Sequence, residues 1–212
     1  MNILFLIAHP DDEAYGPYGT IAKLAKDHKV TVFCICNGER PGAETVASDR
    51  VTAFKANCER VGADWRIQNN PDCSLEYRAT LLNVEGIINH FGPDIVYTHS
   101  STDLHNDHKI IAEAALVACR AKPDSTVKEL YFFEIPAFAQ VSTFTPTVYR
   151  DVTGYMDLKK QALEMYVTET YKFPDARSVE AVETLAKYRG YAVGIKYVEA
   201  FQLIFAHDRK SQ

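Results

Sequence analysis

Two short segments of the chain concentrate imidazole and carboxylate groups. His9–Glu13 (HPDDE) holds one histidine and three carboxylates, and Asp103–His108 (DLHNDH) holds two histidines and two carboxylates. Such ligands favour zinc or another first-row divalent ion, and two histidines with one carboxylate leave a coordination position open for water. A spare carboxylate could take a proton from that water, and a spare histidine could stabilise an oxyanion and protonate a leaving group. The residue types therefore indicate a hydrolytic metal site.

Each motif directly follows a predicted strand. Residues 3–8 form a short, continuous apolar run, and residues 94–98 (DIVYT) form a second predicted strand. In a doubly wound sheet, ligands bind beyond the carboxyl ends of the strands, at the point where the strand order reverses. With the order 3-2-1-4-5 these two strands are neighbours at that point, so we expect both motifs to meet over one crevice. Taken alone, each motif also fits a turn or a helix cap.

The remaining pattern alternates strands with helices. Further strands are predicted over residues 30–36, 63–68 and 129–134, and helices over 20–27, 48–61, 74–91 and 107–121. Ser48 is the expected N-cap of its helix. The alternation predicts a Rossmann-like α/β fold, in which helices flank a mostly parallel sheet with right-handed crossovers.

After residue 136 the pattern weakens. Two helices are predicted over residues 157–167 and 179–188, and a final strand over residues 197–205. These elements predict a C-terminal cap or an added edge of the same sheet. We therefore expect a single domain over residues 1–212, with a Rossmann-like core over 1–135 and an extension over 136–212.

Composition and charge narrow the classes of function. The 23 basic and 28 acidic residues give a net charge of −5, so there is no basic excess to neutralise a nucleic-acid backbone. The five cysteines are an odd number and cannot all pair with one another. The N-terminal apolar run is too short for a signal core or a membrane span. We expect a cytoplasmic protein with free thiols, no membrane span and no nucleic-acid partner.

The two motifs also carry a resemblance to a known family. AHPDDE at Ala8–Glu13 and D-x-H-x-D-H at Asp103–His108 resemble the motifs of the PIG-L/LmbE-like zinc-dependent N-deacetylases. The resemblance is densest over residues 1–120 and extends over nearly the whole chain. Its weaker elements are the loop Asn37–Gly42, Arg50, Val61–Ala63, Asp72 and Tyr197–Phe201.

The resemblance implies roles for the residues of the two motifs. His9, Asp12 and His108 would bind the metal. Zinc is the expected ion, although iron(II) or another divalent metal suits the same ligands. Asp11 would act as the general base on the metal-bound water. His105 would stabilise the tetrahedral intermediate, protonate the departing amine, or do both.

Other residues would support this chemistry. By the same resemblance, Asp107 would orient and tune His105, and Glu13 would hold the loop that carries the ligands. Arg50 and Asp72 would lie on the substrate side and form hydrogen bonds with sugar hydroxyl groups.

The implied reaction is metal-assisted hydrolysis of an N-acetyl group on an N-acetylglucosamine-type amino sugar or conjugate. Hydrolysis of another small N-acyl amide and a non-catalytic metal-binding role stay open as alternatives. Dinucleotide binding is disfavoured, because the first strand leads into HPDDE and not into a G-x-G-x-x-G phosphate loop. The aromatic C-terminal part and the resemblance together predict a homo-oligomer.

Overall fold

A seven-stranded sheet runs through the centre of the protein. The computed structural model describes residues 1–40, 44–123, 125–136 and 144–208. Its strands follow the spatial order 3-2-1-4-5-7-6. The first five in that order pair in parallel, whereas the seventh strand is antiparallel to both of its neighbours. The strands are β1 Asn2–Ile7, β2 Lys29–Cys36, β3 Asp64–Asn70, β4 Ile95–His99, β5 Glu129–Phe133, β6 Val148–Asp151 and β7 Val198–Ala206.

Helices cover both faces of the sheet. They are α1 Asp12–Tyr15, α2 Tyr18–Leu24, α3 Glu44–Arg60, α4 Tyr77–Phe91, α5 Asn106–Ala118, α6 Met156–Glu164 and α7 Val179–Tyr191. The predicted α/β fold with its mostly parallel sheet is confirmed, and so is the order of the first five strands. The strand order reverses between β1 and β4, which lie side by side, so their carboxyl ends share one crevice.

Both faces of β1 are buried, which accounts for its continuous apolar sequence. Leu4 and Leu6 pack on the face covered by α4 and α5. Phe5 and Ile7 point the opposite way, toward α2 and α3, because alternate side chains of a strand face opposite sides. Each fully buried side chain of this size contributes roughly 1.5–3 kcal/mol. This two-sided core fixes the end of β1 and therefore the position of His9.

The C-terminal extension adds an antiparallel edge to the sheet and covers the loop that follows β1. Strand β7 and helices α6 and α7 lie close to their predicted positions. No sequence pattern predicts β6, because its four residues are only partly buried or exposed and form no apolar run. Leu163 and Tyr166 from the extension pack against Ala14 and Tyr18. The boundary near residue 135 stays a prediction.

A buried ion pair joins the extension to the core. Glu199 of β7 accepts hydrogen bonds from the backbone N–H groups of Gly19 (2.8 Å) and Thr20 (2.7 Å) in the first turn of α2. Its Oε1 lies 2.6 Å from Lys159 Nζ, which also donates to the carbonyl of Gly16. Because both side chains are buried, removal of either one would leave the other charge without its partner.

The start of α3 differs from the prediction. The helix begins at Glu44, so Ser48 lies inside it and is not its N-cap. The Ser48 carbonyl accepts a hydrogen bond from the Thr52 hydroxyl one turn later, as expected within a helix. The predicted loop before this helix is described through Arg40, and its last two residues, Pro41 and Gly42, lie outside the described residues.

The thiols agree with the expectation drawn from composition. All five cysteines fall in the described ranges, and all are free. Four are buried and Cys73 is exposed. Within the described ranges, no helix combines the length and the apolar character needed to cross a membrane.

Candidate active site

The carboxyl ends of β1 and β4 bring the two predicted motifs together around one pocket. His9 leaves the end of β1, and its backbone N–H donates to Asp12 Oδ2 (2.8 Å). His105 is the N-cap of α5, which presents His108 from its first turn. The pocket is lined by His9, Asp11, Asp12, Arg40, Arg50, Asp72, Asp103, His105, His108, Ile135 and Arg177.

The three predicted metal ligands form a small triangle of donor atoms. His9 Nδ1 lies 3.2 Å from His108 Nε2 and 3.5 Å from Asp12 Oδ2. His108 Nε2 lies 3.4 Å from Asp12 Oδ1. A tetrahedral zinc ion with ligands at about 2.0–2.1 Å holds its donor atoms about 3.3 Å apart. The three separations are close to this value, with Asp12 facing His9 through Oδ2 and His108 through Oδ1, so the residues suit a zinc-sized ion.

The far nitrogen of each ligand histidine faces a carboxylate. His9 Nε2 lies 3.0 Å from Asp107 Oδ2, and His108 Nδ1 lies 3.0 Å from Asp103 Oδ2. A carboxylate in this position keeps a proton on the far nitrogen and leaves the near nitrogen free for a metal. This arrangement is the one that metal-binding histidines usually show, and it supports His9 Nδ1 and His108 Nε2 as the donor atoms.

The charges of the triangle are strongly coupled. Burial alone would raise the pKa of Asp12, but the charges of His108 and His99 outweigh it and hold that pKa well below its usual value. Burial disfavours charge on His108, yet Asp12 and Asp103 raise its pKa to about 9. The pKa of His9 is also well above its usual value, because hydrogen bonds to Asp107 and Asp12 outweigh burial. The site is therefore built to hold positive charge.

Other donor sets overlap with this triangle. Nitrogens of His9, His105 and His108 lie close enough to share an ion, and so do donor atoms of Asp12, His99 and His108. However, His99 Nε2 accepts a hydrogen bond from the Ala8 N–H (2.9 Å) and is not free to bind a metal. Burial, together with the charge of His108, lowers the pKa of His99 to about 4. His99 therefore acts as a neutral ring stacked on His108, with centroids 3.8 Å apart.

Asp11, the predicted base, stands beside the triangle in an unusual backbone conformation. Its φ angle of 135° is one that residues other than glycine rarely adopt. Its Oδ2 lies 3.3 Å from Arg50 Nη2 and 2.5 Å from Arg177 Nη2. Burial raises the pKa of Asp11 more than the two arginines lower it. A raised pKa suits a carboxylate that must accept a proton.

His105 and Asp107 are in contact through the backbone of Asp107. His105 Nδ1 accepts a hydrogen bond from the Asp107 backbone N–H (3.2 Å), so a neutral ring carries its proton on Nε2. The Asp107 carboxylate turns away, to His9 Nε2 and to the Cys73 N–H (2.7 Å). Asp107 thus orients His105 through its backbone and His9 through its side chain. Burial and the charges of His9 and His108 lower the pKa of His105 to about 4.

Arg50 and Asp72, predicted to face the substrate, are themselves paired. Arg50 is buried and donates to the carbonyls of Pro10 (3.1 Å) and Gly38 (3.2 Å) and to Asp72 Oδ2 (2.9 Å). Arg50 therefore supports the loop around Asp11 as well as lining the pocket. The predicted contact of both residues with substrate stays a prediction.

Glu13, predicted to support the ligand loop, lies beneath it. Its Oε1 accepts from the Tyr166 hydroxyl (2.5 Å) and from the Asn57 amide (3.3 Å). Its Oε2 accepts from the Asp11 backbone N–H (3.2 Å). Burial raises the pKa of Glu13 to about 8. These contacts tie the strained Asp11 backbone to α3 and to the extension.

Three charged residues of the pocket have no role in the sequence-based prediction. Asp103 belongs to the second motif, and its position five residues before His108 is the sequence feature that could have marked it as a site residue. Arg40 pairs with Asp72 (3.3 Å) at the pocket mouth. Arg177 lies 166 positions from Asp11 in the chain, and no local pattern marks it as a site residue.

The fold and the donor set together define a class, an α/β protein with a candidate metal site in a pocket at the switch point of its sheet. Residues 4–119 match the family described as PIG-L: GlcNAc-PI de-N-acetylase. The chain belongs to this family of deacetylases, as the two motifs predict.

Relatives and solved structures agree with this assignment. A Bacillus cereus protein named as a probable N-acetyl-alpha-D-glucosaminyl L-malate deacetylase 2 is 26% identical over 185 residues, which cover 80% of this chain and 84% of that protein. The N,N'-diacetylchitobiose deacetylase of Pyrococcus horikoshii has the same fold, with a TM-score of 0.80, 20% identity and coverage of 96% and 83% of the two chains.

One similar structure belongs to an enzyme of another class. GalB, the 4-carboxy-2-hydroxymuconate hydratase of Pseudomonas putida KT2440, has a TM-score of 0.76 and 21% identity, and the match covers 100% of this chain and 99% of GalB. At such identities the likeness shows the fold alone. The reaction must therefore be argued from the site.

Proposed function

We propose that the protein is a zinc-dependent N-deacetylase that hydrolyses the N-acetyl group of an N-acetylglucosamine-type amino sugar or conjugate. The observation that carries this proposal is the triangle of His9, Asp12 and His108 donor atoms, with Asp11 and His105 beside it. Membership of the PIG-L family and the deacetylase named among the relatives support the choice of an N-acetyl group.

His9 Nδ1, Asp12 and His108 Nε2 would hold the metal. When bound, zinc would polarise the acyl carbonyl and bring the pKa of the attacking water down to about 7. Nitrogen and oxygen donors also bind iron(II). The donor geometry therefore does not select the metal, and the choice of zinc is part of the proposal. Asp107 and Asp103 would keep the two ligand rings in the orientation that the metal needs.

Asp11 would take the proton from the attacking water. Both arginines contact Oδ2, so Oδ1 is the oxygen that can accept it. Asp11 would then pass this proton to the departing amine nitrogen as the C–N bond breaks. The overall reaction consumes one water and releases acetate and a free amine.

His105 would stabilise the oxyanion as a hydrogen-bond donor. Its Nδ1 accepts from the Asp107 backbone N–H, which leaves Nε2–H available to donate. The low pKa of this ring, about 4, makes it a poor proton source near neutral pH. Of the two roles predicted for His105, the structure therefore favours oxyanion stabilisation over protonation of the amine.

Arg50 and Asp72 would lie along the sugar, and their fixed mutual contact would present polar atoms to its hydroxyl groups. Exposed apolar residues of the extension, such as Tyr188 and Tyr191, support the proposal of a homo-oligomer. We also propose a cytoplasmic location and no nucleic-acid partner, in line with the net charge of −5.

The decisive experiment measures amine release from a panel of N-acetylated amino sugars and conjugates with zinc-loaded protein. We expect release that requires metal and that falls at least about 1,000-fold in Asp11→Asn, which keeps its zinc and its fold. His9→Ala should lose zinc together with activity. A fully active Asp11→Asn variant would exclude Asp11 as the base.

The same panel distinguishes the alternatives. Release from other N-acyl amides only would favour a different amidase. No release from any compound, by protein shown to hold zinc, would favour a non-catalytic metal-binding role.

A further inference from the structure

Arg177 reaches the pocket from the opposite end of the chain. It lies in the connection between α6 and α7, immediately before Ser178, the N-cap of α7. Its Nη2 lies 2.5 Å from Asp11 Oδ2 and 3.7 Å from Glu169 Oε2. The guanidinium group therefore contacts the predicted base directly.

The backbone of Arg177 is held on several sides. Its N–H donates to Asp175 Oδ1 (2.8 Å), and its carbonyl accepts from the Tyr171 N–H (3.3 Å) and the Tyr15 hydroxyl (3.0 Å). The guanidinium carbon also lies 4.5 Å from the centroid of the Tyr15 ring, within the range of a cation–π contact. Tyr15 lies two residues after the HPDDE segment, so it links the backbone of Arg177 to the segment that carries Asp11.

Two arginines from distant parts of the chain meet on one oxygen of Asp11. Arg50 of α3 and Arg177 of the extension both contact Oδ2. Among the described residues, no side chain or N–H group donates to Oδ1. The Asp11 backbone, with φ at 135°, costs about 1–3 kcal/mol and persists only where surrounding contacts hold it. The two guanidinium groups supply such contacts at the end of the side chain.

We infer that Arg177 is a positioning residue, which holds Oδ2 of Asp11 so that Oδ1 faces the attacking water and the scissile amide. The inference rests on the proposed function, in which Asp11 is the base. The extension is then part of the reaction machinery, because the core contributes only one of the two arginines. Arg50 alone would leave the carboxylate free to rotate away from its contact at 3.3 Å.

A substrate-binding role for Arg177 predicts a different outcome. An arginine that binds an anionic group of the substrate mainly lowers KM, whereas one that orients the base mainly raises kcat. The contacts of Arg177 with Asp11 and Glu169 favour the second role.

The test compares kcat and KM of zinc-loaded Arg177→Met and Arg177→Lys with those of the wild type. We expect kcat of Arg177→Met to fall about 100-fold, the size of effect that a misplacement of about 1 Å produces, while KM changes less than about threefold. Arg177→Lys should recover part of this loss, because its ammonium group restores a charge beside Oδ2. A large rise in KM with unchanged kcat would overturn the inference.

Arg189→Met is the matched control. Arg189 also belongs to the extension and forms two 2.8 Å hydrogen bonds with Glu134, away from the pocket. The Arg189→Met variant tests whether the loss of any ion pair in the extension lowers kcat. We expect kcat to stay within about twofold of the wild type, and an equal fall in both methionine variants would reduce Arg177 to a structural role.

Two further measurements separate this inference from the proposed function. In an Asp11→Asn background, Arg177→Met should cause little additional loss, because the base that it orients is already gone. Crystal structures of the wild type and Arg177→Met should show the Asp11 carboxylate displaced in the variant. An undisplaced carboxylate would overturn the inference, whether or not any substrate of the panel is hydrolysed.

Discussion

Zinc binding to the metal-free protein should release about one proton from the pair His9 and His108 at pH 7. The pKa of His108 is about 9 and that of His9 is raised, but the 3.2 Å contact between His9 Nδ1 and His108 Nε2 requires one of these nitrogens to be unprotonated, so the pair shares one additional proton at that pH. Zinc needs unprotonated nitrogen at His9 Nδ1 and at His108 Nε2. Asp12 has a lowered pKa and is already ionised, so it contributes no proton.

The magnitude follows from these pKa directions. Below the pKa of both rings, each proton displaced changes the apparent affinity tenfold per pH unit, or about 1.4 kcal/mol. One shared proton therefore gives about a tenfold loss of zinc affinity between pH 7 and pH 6. The sign is fixed, since protons compete with zinc for the same nitrogens and binding must weaken as the pH falls.

Isothermal titration calorimetry of zinc in several buffers at pH 7 measures the number directly. The observed enthalpy plotted against the ionisation enthalpy of the buffer has a slope equal to the protons released. Asp103→Asn is an informative variant, because Asp103 lies 3.0 Å from His108 Nδ1 and raises the pKa of that ring. The slope should fall below that of the wild type in this variant.

A release close to zero in the wild type, or an affinity that does not change between pH 6 and pH 7, would refute this account. Either result would mean that the two rings are neutral before the metal binds. The carboxylates around them would then not hold the site positively charged.

Two other properties follow from buried or exposed groups outside the ligand triangle. Glu199→Gln should lower the free energy of unfolding by about 3–5 kcal/mol in urea titrations, because it leaves Lys159 buried without its charged partner. Lys128→Gln removes an ion pair whose lysine side chain is 40% exposed and should cost no more than about 1 kcal/mol; equal losses in the two variants would contradict this reasoning. Iodoacetamide should label Cys73 first among the cysteines and block turnover, because its Sγ is exposed and lies 3.9 Å from His105 Nε2. Cys73→Ser should lose no activity to the reagent, and an alkylated wild type with full turnover would place Cys73 away from the reacting groups.

The central fold and the ligand set could be predicted because their signals are local. Apolar runs mark β1 and β2 as strands buried on both faces, and each motif follows its strand directly. Once the strand order is doubly wound, the carboxyl ends of β1 and β4 must be neighbours. The triangle of His9, Asp12 and His108 then follows from motif position and donor chemistry.

Contacts between distant or rotatable groups required the tertiary structure. The Asp107 carboxylate could turn to either neighbouring histidine, and only packing around the pocket directs it to His9. The short edge strand β6 forms by pairing with β7, a tertiary contact that local propensity does not encode. Arg177 is the clearest case, since 166 positions separate it from Asp11 and the extension must fold back over α1 to join them.

Sequence alone thus determined the chemistry that the pocket contains, and tertiary structure decided how its charges are oriented. Residue types and short spacings can be read from a single segment of the sequence. The strand or first helical turn next to that segment then fixes the positions of its side chains. The direction of a carboxylate or a guanidinium group depends on partners brought together by the packing of the whole sheet. The two arginines on Asp11, contributed by α3 and by the segment before α7, exist only because the core and the extension pack against the same loop.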